Sequence, residues 1–414
     1  MKKNKDQIVI IGAGISGLIC AFELEQAGFA PTIIDKWDQI GGRVRTDIVD
    51  GFALDHGFQV LLTEYPAAKK YLDYDELKLK KFLPGAVIFQ NGKGSKFGDP
   101  LRNPSFLFPM TVSSVGTLVD KMKLYKLAQM LKKKDLKSIF QEKEQTTMAY
   151  LEGWGFSSRI IELFFRPFYS GIFLEQDLNT SSRMFEFVFK MFSSGSAAIP
   201  SQGIQSIPNQ LKEKLTKTTF ILGQEVKLVS GNEIQFNDRE SMQADRIIIA
   251  SDPSSILGTQ KDSPAQWKGC ATLYFTVADS RLKAPIIGLI PASDSVAKHF
   301  HYVTDVLGEQ ERQLLSVTVI QPIEMDDQSL IERVKNDLND HTGIKGLKFL
   351  KLYRIPRSLP ILDHVTYAPD KRKLKISEHV FLAGDFLANG SLNAAMESGK
   401  AAAEAVLENI QQFK

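Results

Sequence analysis

The sequence predicts an α/β fold in which a doubly wound parallel sheet is joined to a discontinuous α+β domain. Three observations predict it. Near the N-terminus a buried apolar strand is followed by spaced glycines and a helix, and near the C-terminus a similar strand precedes a helix of small residues. The chain has 414 residues, which is long for one hydrophobic core and favours two structural domains.

The first element is a strand that leads into a glycine-rich turn. Ile8–Ile11 form a continuous apolar run, which is typical of a strand buried on both faces. Gly12, Gly14 and Gly17 follow as GxGxxG, and helical spacing of apolar residues runs from 15 to 27. Gly12 permits the tight turn, Gly14 lets the backbone approach a pyrophosphate, and Gly17 lets the helix pack on the strand. The helix N-terminus offers free N–H groups to phosphates.

The second strand, PTIID, ends at Asp35, about 20 residues beyond Gly17. A carboxylate at this place accepts hydrogen bonds from both ribose hydroxyls and disfavours a 2′-phosphate, which argues against NADP. The full unit of strand, glycines, helix, strand and acid predicts a dinucleotide site of the Rossmann type. On these residues alone the choice between NAD and FAD stays open.

Two segments just beyond Asp35 settle that choice by resemblance. DQIGGRVRT (38–46) and GFALDHGFQVLL (51–62) resemble motifs of the FAD-dependent amine oxidase, protoporphyrinogen oxidase and phytoene desaturase superfamily. The resemblance implies noncovalently bound FAD, with the glycine pair lying against the cofactor and Arg43 contacting its phosphates. It also implies that residues 57–59 lie beside the isoalloxazine ring, and that Val226, in a hairpin-like pair of strands over 220–237, pairs with the adenine.

The C-terminal segment completes the expected site. Val380–Ala383 are predicted to form the last parallel strand, Ser391 is a credible N-cap, and Leu392–Asn409 form a helix whose small residues allow close packing. The resemblance implies that Asp385 hydrogen-bonds the ribityl or phosphate part of FAD. The predicted cofactor-binding residues are Gly12, Gly14, Ile15, Ser16, Gly17, Asp35, Lys36, Gly41, Gly42, Arg43, Gly57, Phe58, Gln59, Val226, Gly384, Asp385, Ser391 and Leu392.

The middle of the chain is predicted to form the second domain. Residues 83–104 alternate turns with short strands, and a helical period with lysines on the polar face runs over 117–140. Two interpretations of this basic helix stay open: a surface helix of the substrate domain, or an element that makes peripheral contact with a membrane. The Phe-rich segment 160–192 is either core or the lining of an apolar pocket. We expect the FAD-binding domain to comprise 1–82, 200–265 and 350–414, and the substrate-binding domain 83–199 and 266–349.

Composition narrows the chemistry. A net charge of +3, with basic residues spread along the chain, gives no support for a nucleic-acid partner. The two cysteines form no CxxC, and the six histidines show no metal-ligand spacing, so we expect neither dithiol chemistry nor a metal site. A single dinucleotide unit disfavours disulfide reductases, and the residues after Gly384-Asp385 disfavour NADPH-driven hydroxylases. The apolar run after the basic N-terminus is too short for a signal peptide, so a cytoplasmic location is expected.

The functional alternatives are three. The first is an FAD-dependent dehydrogenase or desaturase that passes hydride from an apolar, isoprenoid or cyclic substrate to flavin N5. The second is an amine or amino-acid oxidase that uses oxygen, disfavoured because no aromatic residue follows Phe386 before the terminal helix. The third is a noncatalytic FAD-binding protein. The electron acceptor, the oligomeric state and the catalytic acid or base are not predicted. Polar residues expected near the flavin are His56, Gln59, Arg166, Tyr169 and Arg357.

Overall fold

The computed structural model describes residues 6–257, 266–308, 312–320 and 324–412. The expected domain boundary at 265 and both chain ends lie outside the described residues. The strands are β1 (Ile8–Ile11), β2 (Thr32–Asp35), β3 (Thr46–Val49), β4 (Phe52–Asp55), β5 (Leu61–Leu62), β6 (Lys80–Lys81), β7 (Gly85–Gln90), β8 (Lys93–Gly98), β9 (Ala197–Ile199), β10 (Thr219–Leu222), β11 (Val226–Ser230), β12 (Glu233–Phe236), β13 (Ser241–Gln243), β14 (Arg246–Ile249), β15 (Trp267–Val277), β16 (Ile287–Leu289), β17 (Ala297–Tyr302), β18 (Gln313–Ile320), β19 (Lys348–Pro360) and β20 (Val380–Leu382).

The helices are α1 (Ile15–Gln26), α2 (Pro66–Tyr71), α3 (Leu107–Val112), α4 (Leu118–Lys133), α5 (Leu136–Gln141), α6 (Thr147–Gly153), α7 (Ser158–Ile160), α8 (Arg166–Phe173), α9 (Ser182–Ser194), α10 (Ser206–Glu213), α11 (Ser254–Leu257), α12 (Val303–Leu307), α13 (Asp327–Thr342) and α14 (Leu392–Gln412). A π-helical turn, Ile161–Phe165, joins α7 to α8. No described helix is both long and apolar enough to cross a bilayer.

A five-stranded parallel sheet forms the first layer, in the order β10-β2-β1-β14-β20. The central strand β1 pairs with β14 on one side and β2 on the other, and all four of its residues are buried. Helices α1 and α14 cover one face of the sheet, and the antiparallel strands β11-β12-β13 cover the other. The predicted α/β class with a parallel sheet is confirmed.

A seven-stranded mixed sheet forms the second large element, in the order β19-β15-β18-β17-β16-β7-β8. Its pairs are antiparallel except β7 with β16, and α13 packs on it through an apolar cluster. Strands β7 and β8 are the short strands expected over 83–104. The expected domain division stays a prediction; its boundary at residue 350 falls inside β19, which is hydrogen-bonded in this second sheet.

Two local predictions were wrong in detail. The helix expected over 117–140 is two helices, because the chain becomes extended at Lys134 and Asp135 then caps α5 by accepting a hydrogen bond from Ser138 N. The hairpin expected over 220–237 is formed by β11 and β12, whereas β10 joins the parallel sheet. Gly223, with φ of +77°, turns the chain between the two.

Candidate active site

One cavity of about 2590 Å³ begins at the carboxyl ends of the parallel strands and extends beside the Phe-rich helices. All the predicted cofactor-binding residues except Gly17 line it. Ligands of open α/β sheets bind at this edge of the sheet, outside the ends of the strands. The structure therefore brings together residues that are separated by almost 400 positions in the sequence.

The three glycines of the first turn have different surroundings. Gly12 has φ of +114°, and a Cβ there would lie 2.8 Å from Ala250 O. A Cβ on Gly17 would lie 2.0 Å from Gly12 O, so this glycine permits the close approach of α1 to the turn. Around Gly14 a Cβ would meet nothing within 4 Å, because this residue faces the open cavity. Gly17 is thus a packing residue, and Gly14 is the one with space for a ligand.

Asp35 is fixed at the end of β2 by two backbone donors. Its Oδ2 accepts a hydrogen bond from Ala13 N at 2.6 Å, and its Oδ1 accepts one from Trp37 N at 2.9 Å. The carboxylate lines the cavity, as does Lys36, whose ammonium lies 5.4 Å from the Trp37 ring centre. The carboxylate is therefore held in one orientation at the cavity edge.

The second motif lies directly against the first. Gly41 N donates to Ala13 O at 2.8 Å, and a Cβ on Gly42 would lie 3.4 Å from Gly14 Cα. Arg43 donates through Nη1 to Ser358 O at 2.9 Å and pairs through Nη2 with Asp385 Oδ1. The predicted phosphate-binding arginine and the predicted C-terminal acid are thus direct partners across the cavity wall.

The C-terminal helix begins at the same cavity. Ser391 caps it, because its Oγ accepts a hydrogen bond from Ala394 N at 3.0 Å. Ile15 and Leu392, the first residues of α1 and α14, both line the cavity. A Cβ on Gly399 would lie 2.3 Å from Ser16 O, so the small residues of α14 permit its close contact with α1. Two positive helix ends therefore point toward one volume.

The polar residues expected near the flavin have partners within the protein. His56 Nε2 lies 2.9 Å from Asp47 Oδ2, and Gln59 Nε2 donates to Arg43 O at 2.7 Å. Burial opposes ionisation of Asp47, but hydrogen bonds from His56 and Tyr353 outweigh it and hold the pKa of Asp47 below its usual value. These contacts position the loop that carries residues 56–59. The loop lies at the cavity wall, and its place beside the flavin ring stays a prediction.

The remaining polar candidates divide into two groups. Arg357 and Tyr169 line the cavity; Arg357 pairs with Asp252 at 2.7 Å, and burial raises the pKa of Tyr169 well above its usual value. Arg166 lies outside the cavity lining, because it pairs with Glu162 one helical turn away and donates to Gln176 O. Arg166 therefore does not share the cavity of the other polar candidates.

The part of the cavity beyond the motifs is a chamber walled by aromatic side chains. The half-buried phenylalanines of its wall are Phe164, Phe168, Phe189 and Phe192. Lys268 of β15 lines the same cavity, and its ammonium donates to Glu175 Oε2 at 2.5 Å and to Thr180 Oγ1 at 3.0 Å. Sequence analysis missed this group, since a single Lys in a strand carries no motif.

The histidines of β17 do not form a metal site. Burial lowers the pKa of His299 to about 4 and that of His301 to about 3, so both are neutral near pH 7. The His301 ring lies 4.3 Å from the Phe58 ring, centre to centre, and 5.6 Å from Phe82. Within the described ranges, His, Cys, Asp and Glu form no group able to hold a metal ion.

The cavity residues fit a bound dinucleotide. The space in front of Gly14 is free, and the two helix ends and Arg43 supply donors for phosphates. The Ser251 hydroxyl, beside the first turn, is buried without a hydrogen-bond partner among the described residues. A buried polar group without a partner is costly in an isolated protein, and a ligand atom at this place would satisfy it.

Comparison with known proteins supports the same conclusion. Residues 15–272 match the model of the family described as flavin containing amine oxidoreductase. An L-amino-acid oxidase of Sistrurus catenatus edwardsii is 28% identical over 152 residues, and one of Bungarus fasciatus is 27% identical over 154 residues. Each alignment covers 36% of this chain and 28% of the relative, so this chain matches less than a third of those relatives.

Solved structures match over nearly the whole chain. A protein provisionally described as a protoporphyrinogen oxidase, from Exiguobacterium sp. 255-15, has a TM-score of 0.74 at 17% identity and covers 99% of this chain and 100% of its own. A double mutant of putrescine oxidase has a TM-score of 0.71 at 16% identity and covers 98% and 99% of the two chains. At these identities the likeness shows the fold. The family match spans residues 15–272, more than half of the chain, and shows that the chain belongs to the flavin-containing amine oxidoreductase family.

Proposed function

We propose that the motif-lined half of the cavity holds FAD in the orientation that the sequence implies. The N-termini of α1 and α14 and Arg43 serve the phosphates, Asp35 accepts from the adenosine ribose, and Val226 faces the adenine. Residues 57–59, Asp385 and Leu392 lie toward the ribityl chain and flavin ring. The support is that these residues share one cavity and that Gly14 faces its open space.

We propose further that the enzyme oxidises a bulky apolar substrate, of an isoprenoid or cyclic kind, by hydride transfer to flavin N5. The observation that carries this proposal is the continuity of the flavin cavity with the Phe-walled chamber. When bound, FAD is the hydride acceptor. The phenylalanines bind apolar surface and exclude water, which strengthens electrostatic interactions within the chamber.

Lys268 is the residue of this chain that we assign to the polar side of the chamber. Its pair with Glu175 and Thr180 keeps a cation in one place, because both partners are themselves fixed on the loop between α8 and α9. Hydride transfer leaves positive charge on the substrate, which then releases a proton to solvent, and the reduced flavin would gain negative charge that an oriented cation stabilises. We therefore expect Lys268→Met to lower the rate of flavin reduction while the protein still binds FAD.

The test is anaerobic reduction of the purified flavoprotein. Isoprenoids and porphyrinogens are mixed with the enzyme, and loss of the oxidised flavin absorbance is followed by stopped flow. Phe168→Asp places a charge in the chamber wall and should slow reduction by such substrates at least about tenfold, since burial of an apolar side chain is worth roughly 1.5 to 3 kcal/mol. Phe349→Asp, at an exposed site outside the cavity, is the matched control. Equal loss in both variants would contradict the proposal.

A second candidate is oxidation of an amine or amino acid with oxygen as acceptor. The alignments with L-amino-acid oxidases and the structural likeness to putrescine oxidase favour it. Against it, no aromatic residue follows Phe386 before the terminal helix. Hydrogen peroxide release with a panel of amines and amino acids, in the absence of any reaction with apolar substrates, would replace the first candidate with the second.

A further inference from the structure

A surface of large apolar side chains surrounds the outer end of the chamber. In the described part of the chain, eight of the fourteen exposed large apolar residues lie between 101 and 130. We call this surface the apolar patch; its members are Leu101, Leu107, Phe108, Leu118, Val119, Met122, Tyr125 and Met130. Single exposed apolar residues are normal, but a concentration of this kind marks an interaction site.

The patch follows one face of α4. Leu118, Met122 and Tyr125 are spaced by four and three residues, so they share a side of the helix, and each has more than half of its surface exposed. Leu127 and Leu131 are fully buried and hold the helix to the body of the protein. The first two turns of α4 therefore carry apolar residues on the face where a surface helix normally carries polar ones.

The two helices of the patch are tied to each other. Lys121 Nζ on α4 donates to Met110 O of α3 at 2.6 Å and to Ser113 O at 3.0 Å. A capping box between Thr117 and Asp120 fixes the start of α4. The apolar residues of α3 and α4 consequently form one preorganised surface rather than two helices that move independently.

The charge around the patch selects its partner. Residues 101–141 contain eight Lys and Arg against two Asp, a net charge of +6, whereas the whole chain has +3. The rest of the sequence is therefore net acidic. Lys126, Lys132 and Lys133 on α4 and Lys137 on α5 are exposed. Apolar side chains bordered by lysines are the composition of a surface that binds anionic lipid.

The patch is also the rim of the cavity. All its members except Phe108 and Met130 are both exposed and part of the cavity lining. An apolar cavity whose mouth is bordered by apolar residues would open into solvent in a free enzyme. Contact with the acyl region of a bilayer would give it a continuous apolar path.

We propose that the apolar patch is a docking surface for an anionic lipid bilayer, with the cavity mouth facing the membrane. The phenylalanine, leucine and methionine side chains insert at the boundary of headgroups and acyl chains, and the lysines of α4 contact lipid phosphates. The proposal does not depend on the substrate suggested above, because its test measures binding to lipid and uses no substrate.

The test is co-sedimentation of the FAD-loaded protein with vesicles. Vesicles of an equimolar mixture of phosphatidylglycerol and phosphatidylcholine should carry the protein down, and phosphatidylcholine alone should carry roughly a tenth as much or less. Phe108→Ser with Met122→Ser should lower partition onto the mixed vesicles at least about tenfold, because two inserted apolar side chains are lost. Lys126→Gln with Lys133→Gln should lower partition onto the mixed vesicles by a similar factor. High salt should reproduce this loss in the unmodified protein, because it screens the attraction between lysines and lipid phosphates.

Matched controls separate docking from folding. Ile48→Ser with Ile376→Ser changes two exposed apolar residues outside the patch, and Lys345→Gln with Lys348→Gln removes two exposed lysines elsewhere. Both controls should bind vesicles normally, and flavin content should be unchanged throughout. Absence of sedimentation, or equal losses in patch and control variants, would overturn the proposal. So would a homodimer in lipid-free solution that Phe108→Ser with Met122→Ser dissociates, because a second copy would then be the partner.

Discussion

The motif-lined half of the cavity is walled by backbone atoms, whereas the Phe-walled chamber is walled by side chains. Around Gly12 and Gly41 the wall is backbone, held by N–H donors and close glycine contacts. Around Phe164 and Phe168 the wall is bulky side chains from helices. Backbone walls tolerate almost no added atom, whereas side-chain walls tolerate substitution as long as volume is conserved. The first half therefore fixes the cofactor, and the second is free to vary with the substrate.

The largest expected effect separates two glycines of the same motif. Gly17→Ala places a Cβ 2.0 Å from Gly12 O, so α1 must move, and we expect a loss of roughly 3 kcal/mol in the free energy of unfolding. Gly14→Ala meets no protein atom within 4 Å and should leave the apoprotein's stability nearly unchanged. It should instead weaken FAD binding at least about tenfold, since the methyl group occupies the pyrophosphate cradle.

Thermal unfolding of the apoprotein and FAD titration by fluorescence measure the two effects. If Gly14→Ala unfolds as readily as Gly17→Ala, or binds FAD as tightly as the unchanged protein, the assignment of the cradle is wrong.

The next prediction tests the ion pair between Arg43 and Asp385, which joins two segments of the cavity wall. Asp385→Ala removes a side chain that is 6% exposed and leaves Arg43 without its carboxylate partner. We expect FAD retention to fall, with a cost of roughly 1.5 to 3 kcal/mol in binding, because the hydrogen bond proposed between FAD and the carboxylate is lost. Arg357→Ala breaks the pair with Asp252, in which the arginine side chain is 63% exposed, and should change FAD affinity by less than about 1 kcal/mol. Equal FAD dissociation constants for both variants would contradict the role of Asp385.

A smaller effect compares two phenylalanines one helical turn apart in the chamber wall. Phe165 is fully buried and Phe168 faces the cavity. Phe165→Leu should lower the free energy of unfolding by about 1 to 2 kcal/mol and leave the flavin reduction rate unchanged. Phe168→Leu should instead raise KM for apolar substrates and change the free energy of unfolding little. Urea unfolding and stopped-flow reduction distinguish these outcomes.

The same contrast explains what could be predicted from sequence. The motif half was predictable because Gly12, Asp35 and Gly42-Arg43 stand at short, fixed spacings in which each residue has a backbone task. Strand β20 and the cap at Ser391 were predictable for the same reason, and the structure confirms both elements.

The chamber could not be predicted residue by residue. Lys268 and Glu175 meet from a strand and a loop 93 positions apart, and no spacing rule connects them. Phenylalanines at helical spacing are common to cores and pocket walls, so the sequence could not separate Phe165 from Phe168. The break of the basic helix at Lys134 and Asp135 was missed because two extended residues hardly disturb a helical period.

The smallest expected effect concerns His301, a buried residue of β17 whose ring lies beside Phe58. Burial lowers the folded-state pKa of His301 to about 3, below the usual histidine value, so the fold favours the neutral ring. Its contribution to stability is complete above about pH 6.5 and is lost as pH falls toward 3, because the unfolded chain then binds a proton that the folded protein excludes. Between about pH 7 and pH 6 this loss in the free energy of unfolding amounts to somewhat less than 1 kcal/mol.

His301→Leu should therefore flatten the pH dependence of the free energy of unfolding, measured with urea, by that amount. His299, whose burial lowers its pKa to about 4, is unchanged in both proteins and leaves a residual slope. Identical slopes for the two proteins would show that burial does not lower the pKa of His301.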